Sequence, residues 1–361
     1  EILRCLVGSE MCIRDRFETP KNMYRRIGLM VLLVLLVVVG NAQNKKGKLY
    51  GVAFYNLENL FDTVHDEGKN DYEYLPDGRN KWDEKKYQSK LEHISTVLSL
   101  LATDKVSEGA AVIGMAEVEN RRVLEDLLKQ PALENRGYQI IHYEGPDERG
   151  IDCAIFYNPE LFQVTATQLV PYQLANPTDR PTRGFLIADG KMADEPIAFI
   201  VNHWPSRGAE SPARERAGMQ VRALKDSLQR LDSKIKIVIM GDMNDDPMDK
   251  SMAESLGAKR YAKDVKKKEL YNPWWNTLAE GDGTLKYRGK WNLFDQIVFT
   301  GNFLNRRPRK LTYESHEIFK RDYLFQTDGK YAGYPSRTQA GGRWLNGYSD
   351  HLPTVVYFIK R

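Results

Sequence analysis

The stretch Lys234-Ile235-Lys236-Ile237-Val238-Ile239-Met240-Gly241-Asp242-Met243-Asn244 runs a block of β-branched and other apolar residues straight into a polar turn. Apolar side chains at successive positions would lie on both faces of an extended chain, so this reads as a strand buried on both sides. The polar cluster then falls where the strand runs out, the rim at which open α/β sheets bind ligands. Working outward, the same arrangement recurs five times. Asn202 and His203 follow Ile197 to Val201; Glu117 and Glu119 follow Ala111 to Met115; Asn56 and Glu58 follow Val52 to Tyr55. Asp295 precedes Gln296 to Phe299, and Asp350-His351 precede the closing run Val355 to Ile359. Such repetition predicts one site on a shared rim.

Around these segments, short β-like runs alternate with helical ones, and no repeat or low-complexity linker intervenes. A single α/β domain over residues 43–361 is expected. Strands are predicted over 49–56, 111–117, 138–143, 151–157, 197–203, 235–242, 294–300 and 354–359. Helices are predicted over 84–101, with Leu91, Ile94, Leu98 and Leu101 on one stripe, and over 212–231, with Val221, Leu224, Leu228 and Leu231 on another. Ser211 is the expected N-cap of the second helix and Pro212 its first-turn proline. Segments 63–81 and 259–290 read as long ordered loops, which in compact domains tend to be functional. Trp274, Trp275, Tyr287 and Trp291 are expected to cover a sheet edge; the alternative is a face for a base or sugar.

Before this domain, Tyr24-Arg25-Arg26 and the apolar run Leu29 to Val39, ending in Gly40-Asn41-Ala42, read as a signal peptide over residues 23–42. The run is shorter than the roughly 20 residues of a bilayer span, so export with no stable membrane anchor is expected. Residues 1–22 suit neither role, and CLVGSEMCIRDR resembles a translated sequencing adapter, a non-native leader. Cys153 is then the one remaining thiol, expected to be buried and inert, with no disulfide within the chain. The first 42 residues carry six Lys/Arg and four Asp/Glu, so of the net +4 only +2 belongs to the remainder. That balance excludes binding to polyanions by bulk charge alone.

Four or more carboxylates converging on one rim would repel unless a cation neutralised them. Oxygen ligands with few sulfurs or imidazoles suit Mg²⁺ or Mn²⁺. Competing sites fail on inspection: the chain has no His-Glu-x-x-His, Gly-x-Ser-x-Gly or Walker-type loop. Asp242 to Pro247 begins like a calcium loop, but Pro247 replaces the glycine and Ala253 the final glutamate. The six histidines are scattered, which argues against a zinc hydrolase.

Taken in order, YNLEN (55–59), GMAEVEN (114–120), NHWPSR (202–207), GDMND (241–245), LFDQIV (293–298) and YSDHLP (348–353) resemble the endonuclease/exonuclease/phosphatase superfamily, the DNase I-like proteins. The resemblance spans nearly all of residues 43–361. It implies a four-layered α/β sandwich, two packed mixed β-sheets flanked by helices. It further implies Glu117 as a metal ligand with Glu58 and Asp350, and Asn56 near the metal or a phosphate oxygen. Asp242 would activate water, Asn244 would hold the phosphate, and His351 paired with Asp295 would contact the scissile phosphate. His203 matches the histidine that DNase I-like members use near the leaving oxygen; abasic-site enzymes differ there. Asn202 is expected beside the substrate.

Guanidinium groups match phosphate oxygens, and Arg149 and Arg207 lie nearest the rim motifs, so both are expected to contact substrate. Arg214 and Arg216 read equally well as a solvated helix start. The leading expectation is an exported, monomeric, Mg²⁺- or Mn²⁺-dependent phosphodiesterase, a nuclease acting on DNA or RNA. The alternatives are the same chemistry on a phospholipid head group, nucleotide or inositol phosphate, and a non-catalytic binding protein of the same fold.

Overall fold

The computed structural model describes residues 47–306 and 308–361. The leader and signal-peptide expectations fall outside them. Residues 47–361 form one compact unit. Two sheets dominate it. The first is ordered Leu311–Ile318, Thr354–Lys360, Lys48–Leu60, Ala110–Val118, Asp152–Tyr157, Gln139–His142. The second is ordered Phe162–Val170, Phe185–Met192, Glu195–His203, Lys236–Asp242, Asp295–Thr300, Leu270–Tyr271, Ala258–Lys259. Both are mixed: Lys48–Leu60 runs parallel to Ala110–Val118 and antiparallel to Thr354–Lys360, and Glu195–His203 runs parallel to Lys236–Asp242.

Alternation along Lys48–Leu60 shows how the layers arise. Val52 and Phe54 point into a core shared with Phe199, Val238 and Met240 of the other sheet. Ala53, Tyr55 and Leu57 point the opposite way, against Leu91, Ile94 and Leu98 of the helix Glu84–Leu100. Ile200, Ile237 and Ile239 pack likewise on Ala217 and Val221 of the helix Ser211–Leu231. Helix, sheet, sheet and helix form four layers, as the resemblance implied. Fully burying each large apolar side chain contributes about 1.5–3 kcal/mol, so three such clusters dominate the stability.

Several local expectations are corrected. The helix Ser211–Leu231 is preceded by Glu210 at the N-cap, without a side-chain cap bond, while Ser211 Oγ donates to Glu215 Oε1 at 3.2 Å. Leu231 is 85% exposed and Leu224 only half-buried. At about 100° per residue, Arg214, Ala217, Val221, Lys225 and Leu228 centre the buried stripe, and Leu231 sits well off it. Trp274 is fully buried, its Nε1 donating to Ile297 O at 3.0 Å, so it does cover the sheet. Cys153 lies in the core between the sheets, and burial pushes its thiol pKa up. No helix among the described residues is long and apolar enough to cross a membrane.

Candidate active site

Strand register builds the site. Asp242 is directly opposite His203 on one neighbouring strand and Asp295 on the other, so three rim residues form one row across the second sheet. The first sheet supplies Asn56, Glu58 and Glu117, and the turn before Thr354–Lys360 supplies Asp350 and His351. Glu58, Asn59, Glu117 and Asn244 all have positive φ, between 49° and 61°. Non-glycine residues in that region cost about 1–3 kcal/mol each, and such strain clusters where side chains must be aimed.

Asp242 is the hub. Its Oδ2 accepts from Asn56 Nδ2 at 3.0 Å and its Oδ1 from Asn244 N at 2.9 Å. Imidazoles flank it, with His203 Nε2 3.7 Å and His351 Nε2 3.9 Å from Oδ2. Their surroundings push the two rings in opposite directions. Burial, reinforced by Arg183, Arg149 and His351, holds His203 well below 6.5 and therefore neutral. Burial also opposes charging His351, but Asp295, bonded to its Nδ1 at 2.7 Å, together with Asp242 and Asp350 outweighs it and keeps the ring cationic.

Glu117 is reached from both sides: Asn56 Nδ2 donates to Oε1 at 3.3 Å and Asn59 N to Oε2 at 2.9 Å. Glu58 is more fully occupied, accepting from Arg337 Nε at 3.1 Å and from Thr338 N at 2.6 Å. Arg337 also donates to Asp350 Oδ2 at 2.8 Å. Asn56 has its amide turned to Asp242 and Glu117 and its Oδ1 taken by Glu58 N, so it orients carboxylates.

The donor chemistry fits a divalent cation. Glu58, Glu117, Asp242, Asp295 and Asp350 bring five carboxyl groups together against Arg337, Lys90 and His351, more acidic groups than basic ones. Burial first, then Asp350, pushes Glu58 up to about 7. Burial first, with Asp295 and Glu117 adding to it, pushes Asp242 up to about 7. Glu117 and Asp350 keep the most solvent access, at 16% and 24% of the side chain, and offer hard oxygens.

Other expected residues are placed differently. Asn202 is fully buried and donates to Ile200 O and Met240 O, because consecutive strand residues face opposite sides and His203 takes the site side. Its amide is spent on the backbone within the sheet rather than on the rim. Arg149 is half-exposed beside Asp147, and its charge helps hold His203 down. Arg207 stacks over Phe294 at 4.4 Å and is engaged by Asn244 O, Asp246 and Asp249. Arg214 is buried, with Nε 2.9 Å from Asp245 Oδ1, an ion pair out of hydrogen-bonding line, so it is structural. Sequence reasoning missed Arg337 and Lys90, which follow no predicted strand. It also missed Arg183, which braces Trp204 O at 2.9 Å and whose Arg183-Gly184 before a strand repeats the Arg149-Gly150 pattern.

The two-sheet sandwich with this rim places the chain among the DNase I-like hydrolase folds. Residues 51–360 match the model of the endonuclease/exonuclease/phosphatase family, and the chain belongs to that family. Similar solved structures include a family member from Bacteroides thetaiotaomicron, with TM-score 0.54, 15% identity, and 88% of this chain and 96% of that one covered. A mannosyl-6-phosphatase of the same species gives 0.53, 16%, 86% and 99%. TDP2 of D. rerio, complexed with single-strand DNA product, gives 0.52, 15%, 86% and 99%. Comparison with curated proteins gives no significant match.

Proposed function

We propose that this chain is a divalent-metal-dependent phosphodiester hydrolase, an exported nuclease that cleaves DNA or RNA. The observation that carries the chemistry is Asp242 held between His203 and His351, at 3.7 and 3.9 Å, with surroundings that favour the neutral form of the first and the charged form of the second. A base, a positive charge for the phosphoryl oxygens and a neutral N–H donor are thus converged on one space.

Glu117 and Asp350 would hold Mg²⁺ or Mn²⁺, with Glu58 behind them. When bound, the ion neutralises charge on the non-bridging oxygens. Asp242 takes a proton from the water whose oxygen attacks phosphorus, its orientation fixed by Asn56 and Asn244 N. Asn244 Nδ2 spends one hydrogen on Trp204 O and keeps a second for a phosphate oxygen. His351, charged through Asp295, stabilises the negative charge that develops as the P–O ester bond breaks. His203, being neutral, offers the leaving oxygen a hydrogen bond, and the proton that completes the leaving alcohol comes from solvent water, to which Asp242 returns the one it took. Arg149 steers the phosphate backbone from the rim.

Purified protein should degrade plasmid DNA or RNA with Mg²⁺ and stop on adding EDTA. Failure with every nucleic acid, metal and pH tried would end the nuclease assignment. A second reading has its own support: a cavity of about 210 Å³ beside Glu58 is lined by Arg79, Asn80, Arg337 and Gln339. Its size and polarity suit one sugar-sized group of a small phosphoester. Phosphate release from a sugar monophosphate, without nucleic acid cleavage, would favour that reading. Export rests on residues 23–42, and a cytoplasmic location on cell fractionation would refute it.

A further inference from the structure

Apart from the Asp242 hub, the strands Gln139–His142 and Asp152–Tyr157 pair antiparallel, and their connecting segment carries Glu144. His142, Glu144 and Asp152 each offer one ligand atom, all within 4.8 Å of one another. The His142 and Asp152 side chains are only 3% and 4% exposed, whereas Glu144 is 57% exposed. His142 Nε2 and Asp152 Oδ2 face each other at 3.4 Å, and neither has a hydrogen-bond partner. Buried polar atoms rarely go unpaired. A hydrogen bond would draw the two to about 2.7–3.2 Å. Two donors about 2.0–2.1 Å from one tetrahedral ion stand about 3.3 Å apart, close to the spacing found. The other oxygen, Asp152 Oδ1, is fixed by Gly145 N at 3.0 Å, so Oδ2 is held in place.

We propose that His142, Asp152 and Glu144 form a second cation site, distinct from the hydrolytic cluster, for a divalent transition ion of the Zn²⁺ class. An imidazole nitrogen in the set disfavours Mg²⁺ and Ca²⁺, which prefer oxygen alone, while mixed nitrogen and carboxylate ligands suit zinc or manganese. Glu144 Oε1 stands 3.9 Å from the other ring nitrogen, Nδ1, so this exposed side chain swings about its own torsions to reach an ion at Nε2 from the solvent side, and water completes the site. The bound ion ties the segment between the strands to the sheet. That segment includes Asp147, which holds the buried Arg183 at 3.1 Å, so the ion also steadies the brace behind His203.

The test uses metal-stripped protein carrying Glu117→Gln, which weakens binding at the hydrolytic cluster, and reads ion binding rather than activity. Co²⁺ uptake is followed by visible absorption, with Zn²⁺ as competitor. The Glu117→Gln protein should bind one Co²⁺ that Zn²⁺ displaces. Adding Asp152→Asn, which keeps the Oδ1 acceptor for Gly145 N, should weaken that binding at least about tenfold, since losing a direct ligand costs no less than losing its outer-shell partner. His142→Gln should act alike if Asp152→Asn lowers the melting temperature in EDTA. No Co²⁺ uptake, or equal affinity in folded variants lacking either ligand, would overturn the proposal and leave a water-bridged His–Asp pair. Failure of hydrolysis would not touch this result.

Discussion

Asp295→Asn isolates what the His351 charge contributes. Asp295 is fully buried and bonded to His351 Nδ1 at 2.7 Å, with the charge centres roughly 4 Å apart. At an effective dielectric near 20, that attraction is about 4 kcal/mol. Asparagine keeps the shape and one acceptor but removes the charge, so burial would then dominate and the ring would lose its proton near neutrality. If the cation stabilises developing phosphoryl charge, about 4 kcal/mol corresponds to a loss of about 10³-fold in kcat, with substrate binding less affected. The assay is metal-supported hydrolysis of an activated phosphodiester, with thermal melts to show an intact fold. NMR of the labelled imidazole in metal-free protein reads the protonation state directly. A ring still protonated at pH 7 in the variant, or a rate within about fivefold of the parent, would refute the reasoning.

Arg337→Ala leaves Glu58 buried without its guanidinium and frees Asp350. Because the Arg337 side chain is 40% exposed, the expected cost is about 1–3 kcal/mol rather than the full buried-pair value, and an unchanged urea midpoint would refute it. Gly241→Ala places a Cβ 2.2 Å from Asn202 O, a backbone atom that cannot yield. It should cost more than about 3 kcal/mol and abolish activity, whereas Gly114→Ala first meets the flexible Met240 Sδ at 2.9 Å and should cost about 1–2 kcal/mol. Equal losses in the two melts would contradict this. His316, between Thr277 and Tyr313, is held down to about 4 by burial and then Lys105. A depressed folded pKa gives stability that is present above 6.5 and lost as pH falls through about 4. Between pH 7 and 4 the parent should lose roughly 2–3 kcal/mol more than His316→Gln in urea titrations, after allowance for partial exposure; parallel curves would refute it.

All eight expected strands are present because each carries apolar residues on both faces or a reactive end. Lys48–Leu60 overruns its expected end at Asn56, since the positive φ of Glu58 and Asn59 bulges the chain before it re-pairs at Leu60. Three long strands escaped for physical reasons, and the six others among the described residues span only two or three residues each. Phe162–Val170 and Leu311–Ile318 are sheet edges whose solvent-facing residues dilute the apolar pattern, and Asp189-Gly190 interrupts Phe185–Met192. The helix Arg121–Leu128 spans only eight residues, with Val123, Leu124 and Leu127 on its buried face, and Asn120 caps it by accepting from Val123 N at 3.1 Å.

The site was legible to the extent that strand ends were legible, because register alone brings His203, Asp242 and Asp295 into a row. What sequence could not supply is charge state. His203 and His351 have the same side chain and similar burial, yet Arg183 and Arg149 face one and Asp295 the other, so one stays neutral and one charged. Apart from Asp350 beside His351, these neighbours lie far from their histidines in sequence. The same holds for Arg337, which reaches Glu58 across 279 residues and neutralises a carboxylate that the motif alone assigns to metal. Glu58 therefore braces Arg337 and Thr338, while Glu117 and Asp350, also hydrogen-bonded, keep more solvent access. Asp350→Ala should accordingly raise the Mg²⁺ concentration needed for half-maximal rate, while Glu58→Gln should first lower stability; the reverse order would return Glu58 to the metal.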